Sequence, residues 1–294
     1  MSVPDTSAAP TLPDRKPRDD EIDVYGLTHP GKVRRDNQDH FLVCALRKQV
    51  VVHHTSLPDT ERLMADGERL AFLVMVADGV GGSAKGEEAS RAALEAVTQY
   101  VSHSMRCYYA VSSAGDQEFF DALQEGAHQC HAELLRRGEA EPDHRGMATT
   151  LTLFLGVWPR AYLLQVGDSR CYQLRGDELT QLSRDQTMAQ EMVDLGVMTP
   201  ADAAGTRLAH TLSSAIGGRQ TEPKVTRLNM AWGYVLLLCS DGLIRHVSDD
   251  RIRDVLRSMT SARQACEDLL RDALDGGGTD NITIVVGRAL PRGE

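Results

Sequence analysis

Four aspartates sit where apolar runs begin or end. Asp78 closes FLVMVAD and is followed by Gly79; Asp241 closes VLLLCSD and is followed by Gly242; Asp280 stands before NITIVV and Asp39 before HFLV. The end of a buried strand holds a side chain rigidly, so such anchors can bring carboxylates far apart in sequence to one place. Gathered carboxylates repel one another unless cations lie among them. Oxygen-only donors suit hard cations such as Mg²⁺ and Mn²⁺. Two such ions can lower the pKa of a shared water and offset the charge of a transferring phosphoryl group. Asp-Gly after a strand is also a common turn signal, and Asp39 alone reads equally as a strand cap. For any single Asp-Gly the turn comes first, and spacing alone does not choose.

The elements that would position these residues show in the apolar periodicity. Short apolar runs at 41–44, 71–77, 151–157, 162–166, 234–239 and 282–286 predict strands. Several are continuous rather than alternating, as in strands covered on both faces. Helical stripes run through Ala89, Ala93, Val97 and Val101, through Phe120, Leu123, Ala127, Cys130 and Leu134, and through Ala262, Cys266, Leu269 and Ala273. Strands, two helices, strands, helices and a last strand do not alternate strictly, which predicts an α+β layered fold. No GxGxxG or GxxxxGK[ST] argues for a nucleotide-binding sheet. Residues 1–20 are polar and Pro-rich and read as a disordered tail, leaving one domain over 21–290. Residues 53–67 and 188–207 read as irregular inserts of the kind that often carry function, the second mixing a short helical piece with Pro200 and Ala- and Gly-containing sequence.

The net charge of -10, with no Lys/Arg run, argues against a nucleic-acid partner. It would also repel a phosphorylated one, unless a bound cation inverts the sign locally. Six cysteines without a CxxC pair predict reduced thiols in a cytoplasmic protein. No apolar stretch is long enough to span a bilayer, and no leader pattern opens the chain. A monomer is the default expectation.

The motifs GKVRRDNQD, VADGVGG, GMATTL, QVGDSRCYQL, LSRDQT, LSSAIGG, LLLCSDGL and TDNITIVV follow one another from about residue 24 to residue 288. In that order and spacing the chain resembles the metal-dependent protein phosphatases of the protein phosphatase 2C type, in their compact bacterial form. The resemblance implies an αββα sandwich, two antiparallel sheets flanked by helix pairs, with a flap at about 188–210. It implies two core Mn²⁺ or Mg²⁺ ions and a third, weaker one. Asp78 matches the bridging ligand, Gly79 a carbonyl ligand, Asp241 and Asp280 the other carboxylates of the first metal, and Asp39 the acidic residue of the first motif. Asp168 matches a residue of the third site, and Asn281 the Asn after the last ligand. Arg34, rather than Arg35, matches the phosphate-binding Arg, so Arg34, Asp78 and Asp241 are the implied catalytic residues. The implied activity is hydrolysis of protein phosphoserine and phosphothreonine by direct attack of a metal-bridging water or hydroxide, opposing a Ser/Thr kinase in signalling.

The chain departs from the pattern in places. Gln38 replaces a frequent Glu and offers an oxygen without charge, which predicts weaker binding of one metal. Val80 replaces the His proposed elsewhere as general acid, and Trp232-Gly233-Tyr234 replaces a frequent Gly-Asp pair. The 53–67 insert is longer than this connection requires. Competing motifs are weaker. Cys130 and Arg136 have C-x5-R spacing, but inside a helical pattern without the free N–H groups of a phosphate cradle. His53-His54, His128 and His131 lack zinc spacing. Asp185 or Thr187 reads as a cap for the helix that follows. Two other functions remain open at this point: a phosphatase-like binding module in a kinase pathway, marked by lost carboxylates, and a hydrolase of small phosphate esters.

Overall fold

The computed structural model describes residues 15–47, 67, 69–81, 83–104, 115–141 and 144–291. A 3-10 turn, Asp19–Glu21, leads into strands β1 (Ile22–His29), β2 (Asp39–Arg47) and β3 (Arg69–Val80). Helices α1 (Ser83–Ser104) and α2 (Asp116–Ala140) follow, then β4 (Ala148–Thr149), β5 (Leu151–Val157), β6 (Arg160–Val166), β7 (Arg170–Arg175) and β8 (Glu178–Gln181). Next come α3 (Met188–Asp194), α4 (Pro200–Ala204), a 3-10 turn (Arg207–His210), β9 (Lys224–Asn229) and β10 (Val235–Cys239). The chain ends with α5 (Asp241–Ile244), α6 (Asp249–Ser258), α7 (Ala262–Asp275) and β11 (Ile282–Ala289).

The strands form two antiparallel sheets, ordered β1-β11-β10-β7-β8 and β2-β3-β5-β6-β9, with β4 paired to β3. Burial alternates along β3 between two cores. Leu73, Met75 and Ala77 pack under α1 and α2, while Val74 and Val76 pack between the sheets against Leu238 and Val285. On the other side Leu237, Cys239, Ile284 and Val286 pack under α6 and α7. This is the expected helix–sheet–sheet–helix order, and it explains the continuous apolar runs: both faces of the central strands are covered.

Several details differ from the sequence expectation. β1, β7, β8 and β9 are strands that apolar runs did not mark; β9 (KVTRLN) lies at a sheet edge and is largely solvated, so it needs no apolar run. The 188–207 segment, expected to mix one short helical piece with irregular sequence, holds two helices, α3 and α4. Thr187 caps α3, its Oγ1 accepting from Gln190 N at 3.2 Å, and Thr199 caps α4; Asp185 does not cap but pairs with Arg170 at 2.6 Å. The 53–67 insert, apart from Gly67, lies outside the described residues, as do residues 1–14 of the expected tail and Cys107. The rest of that tail is held by ion pairs: Arg15 pairs with the buried Glu21 at 2.7 Å, and Asp19 pairs with Arg47 and Arg69. Cys130, Cys171, Cys239 and Cys266 are buried free thiols, and Cys44 is half-buried.

An apolar cavity of about 100 Å³ lies between the sheets at the end where Ile22, Tyr234 and Ala289 sit. The opposite end, where β3 finishes and β11 begins, opens as a cleft of about 1010 Å³.

Candidate functional site

The β2–β3 register sets Asp39 directly opposite Asp78. Asp39 is 2% exposed. Its Oδ2 accepts from Ser240 Oγ and Thr283 Oγ1, each at 2.7 Å, and both belong to the other sheet's side of the sandwich. Its Oδ1 is buried with no hydrogen-bond partner. Burial pushes its pKa up to about 7; the two hydroxyls pull it down, and the charges of Asp241 and Asp280 push it further up. Asp39 therefore lies beneath the cleft floor and clasps the two sheets.

Asp78 lines the cleft. Its N–H donates to Thr150 Oγ1 and its C=O accepts from Thr150 N and Thr149 Oγ1, all at 2.9 Å. Burial, followed by the charges of Asp39, Asp241, Asp168 and Asp280, holds its carboxyl well above the usual range. Gly79 follows where no side chain fits, since a Cβ would come within 2.1 Å of Gly86 O. The tight-turn reading of Asp78-Gly79 is thus replaced by a close approach of β3 to the first turns of α1.

Asp241 opens α5 directly after β10 and is 8% exposed. Its Oδ2 accepts from Arg245, one turn later, and its Oδ1 is buried without a partner. Its pKa is raised by burial and by Asp280, against the pull of Arg245. Asp280 precedes β11. Its Oδ1 lies 2.8 Å from Arg34 Nε, and its Oδ2 accepts from Arg34 Nη2 at 3.0 Å and Arg245 Nη1 at 2.9 Å. Asp168, between β6 and β7, lines the same cleft and is pushed up to about 8 by burial and by the charges of Asp241 and Asp185.

Asn281 has a larger role than its motif suggests. Its Nδ2 donates to Pro30 O at 3.0 Å and Asp36 O at 2.9 Å, and its Oδ1 accepts from Gln38 N at 2.9 Å. It fixes the loop that carries Arg34, whose side chain is 53% exposed. Gln38 and Val80 also line the cleft, as does His210 from the flap. Sequence reasoning missed Arg245. The available signal was its position four residues after Asp241, one turn along a helix.

All six expected metal residues thus stand at one end of the sandwich, five at the cleft wall and Asp39 below it. Among the described residues no three acidic, His or Cys side chains form a ready-made metal cage, and Asp241 and Asp280 are turned onto arginines. The donors still fit hard divalent cations. They are oxygens only, several are buried carboxyls with raised pKa, and two buried oxygens lack any partner. Two of the competing motifs take a structural place here. Cys130 and Arg136 both lie inside α2, and burial pushes the Cys130 thiol up to about 12. His131 Nδ1 accepts from Gly217 N at 3.0 Å, a structural bond. His53 and His54 lie outside the described residues.

Residues 59–275 match the protein phosphatase 2C family. The chain is 34% identical over 244 residues to the serine/threonine protein phosphatase PstP of Mycobacterium tuberculosis, a match covering 82% of this chain and 45% of that protein. It therefore spans less than half of PstP's length. It is 30% identical over 267 residues to protein phosphatase PhpP of Streptococcus pneumoniae, covering 90% of this chain and 96% of that protein. The structure of the PstP catalytic domain in complex with two manganese ions resembles it with a TM-score of 0.68 at 31% identity, over 92% of this chain and 99% of that chain.

Proposed function

The chain belongs to the protein phosphatase 2C family, and on that premise we propose that it is a metal-dependent protein serine/threonine phosphatase. Its substrates are phosphorylated proteins carrying phosphoserine or phosphothreonine, and its natural opponent is a Ser/Thr kinase. The observation that carries the reading is the convergence of Asp39, Asp78, Asp168, Asp241 and Asp280, from both sheets, beside Arg34.

Asp78, the Gly79 carbonyl, Asp39, Asp241 and Asp280 would hold two Mn²⁺ or Mg²⁺ ions, and Asp168 a third. Such ions, when bound, lower the pKa of water and offset phosphoryl charge. The chain's own residues do the rest. Arg34 offers a planar fork that matches two phosphate oxygens, and its half-exposed position on the loop lets it leave Asp280 for substrate. Asn281 holds that loop in place. Val80 carries no proton for the departing alkoxide; His210, on the flap side of the cleft, is of a side-chain type that serves as a general acid. No residue of the cleft is required as a covalent nucleophile, because a phosphoryl transition state needs positioning and charge more than covalent help.

A phosphatase-like binding module would be marked by lost metal carboxylates; Asp39, Asp78, Asp241 and Asp280 are all present, so that alternative is not supported. No helix among the described residues is long and apolar enough to cross a membrane. A cytoplasmic monomer remains our working picture.

The test is hydrolysis of a phosphothreonine peptide with Mn²⁺, with Mg²⁺ and with chelator. Turnover should need metal and fall by at least about a hundredfold in Asp241→Asn, in line with the loss of a main transition-state charge partner. Full activity of that variant with Mn²⁺ would refute the metal assignment.

A further inference from the structure

Arg245 has no part in the reaction just outlined, yet it sits among its principal residues. It ends α5, four residues after Asp241, and its side chain is only 28% exposed. Nη2 pairs with Asp241 Oδ2, and Nη1 lies 2.9 Å from Asp280 Oδ2. One guanidinium therefore bridges two carboxylates that arrive from different strands. Asp280 is fully engaged. Its Oδ1 takes Arg34 Nε and its own neighbour's Asn281 N–H, and its Oδ2 takes both arginines. A charge-assisted hydrogen bond and a hard cation draw on the same oxygen lone pairs and the same negative charge. Asp280 cannot give an oxygen to a cation without weakening a bond to an arginine. Arg34 is exposed and sits on a loop, so it yields readily. Arg245 is packed on a helix end and pairs with both carboxylates at once.

We propose that Arg245 is an internal counter-ion that competes with the divalent cation for Asp241 and Asp280, so that the protein binds metal less tightly than its carboxylates alone would. The proposal rests on the metal-dependent reading above. Its physical content is a built-in threshold: Asp241 can offer its unpartnered Oδ1, but the charge of both carboxylates is shared with the guanidinium that quiets their repulsion, so metal loading weakens that bridge. A lysine in its place keeps the charge but lacks the fork that spans two carboxylates.

The experiment is Mn²⁺ binding to the full chain by titration calorimetry, comparing wild type with Arg245→Met, Arg245→Lys and Asp241→Asn. Arg245→Met should bind Mn²⁺ about tenfold more tightly, the scale of one lost charge-assisted bond. Arg245→Lys should fall between it and wild type. In chelator Arg245→Met should melt below wild type, and saturating Mn²⁺ should close that gap. Unchanged or weaker Mn²⁺ binding by Arg245→Met would overturn the proposal. An Arg245→Lys affinity equal to wild type would replace the bridge by a simple charge field and overturn it too. If wild type takes up no Mn²⁺, or Asp241→Asn takes it up equally well, the metal reading itself fails. If wild type binds, Asp241→Asn does not and Arg245→Met gains nothing, only the role of Arg245 fails.

Discussion

Asn281 donates to the carbonyl oxygens of Pro30 and Asp36 and accepts from Gln38 N, so one amide holds three points of the loop between β1 and β2. Replacing it with Ala would leave those groups without their partner. We expect Asn281→Ala to cost about 3 kcal/mol of stability, since each unmade buried hydrogen bond costs roughly 1–3 kcal/mol, measured by urea unfolding. Asn281→Asp should not rescue, because it loses the donor that the two carbonyls need. Arg34 rides on this loop. Arg34→Ala should raise KM about tenfold and lower kcat less, the mark of binding shared by ground and transition states. An unchanged KM with collapsed turnover would contradict that role. At this scale the sequence was legible where chemistry is local to a motif: each candidate aspartate stands at a strand end. It was not legible where a bond depends on register between distant segments. The clasp from Asp39 to Ser240 and Thr283 and the reach of Arg245 to Asp280 are of that kind.

At the scale of elements, legibility followed burial in most strands; β7, whose buried Cys171, Tyr172 and Leu174 are interleaved with Arg and Gln, is the exception. β3, β5, β10 and β11 are covered on both faces and so announce themselves as apolar runs. β8 and β9 are edge strands facing solvent, and their pairing comes from neighbours rather than from their own composition. The flap segment was legible in a short helical piece and in its first cap. Thr187 is buried, caps α3 through its hydroxyl and pairs with Leu212 across the cleft side of the flap. Thr187→Ala should destabilise α3 by about 1 kcal/mol. Hydrogen exchange should therefore quicken across Met188–Asp194 while the global Tm falls by no more than about 2–4 °C. A loss of protection spread evenly over both sheets would mean that the cap supports the whole fold instead of the flap.

Over the whole molecule, the candidate metal residues divide between the layers. Asp39 and Asp78 belong to the sheet covered by α1 and α2, and Asp241 and Asp280 border strands of the sheet covered by α6 and α7. Asp168 lies on the crossing between them, after β6 and before β7. A cation bound by ligands from both layers acts as a clamp across the sandwich at the cleft end, the end where Asp39 already ties the sheets. Ligand that binds only the folded state stabilises it by about 2.7 kcal/mol at a hundred times its Kd. For a domain of this size about 2–4 °C follows from each kcal/mol, so saturating Mn²⁺ should raise Tm by about 5–10 °C over chelator. The unfolding should remain one transition, because a clamp between layers strengthens them together. Asp241→Asn should lose most of the shift. A metal-induced shift confined to the flap, with the sheets melting at the chelator temperature, would place the ion on one layer and undo the clamp. The apolar cavity at the other end of the sandwich has no acidic cluster in its lining, so substitutions such as Phe154→Leu there should lower Tm equally with and without Mn²⁺.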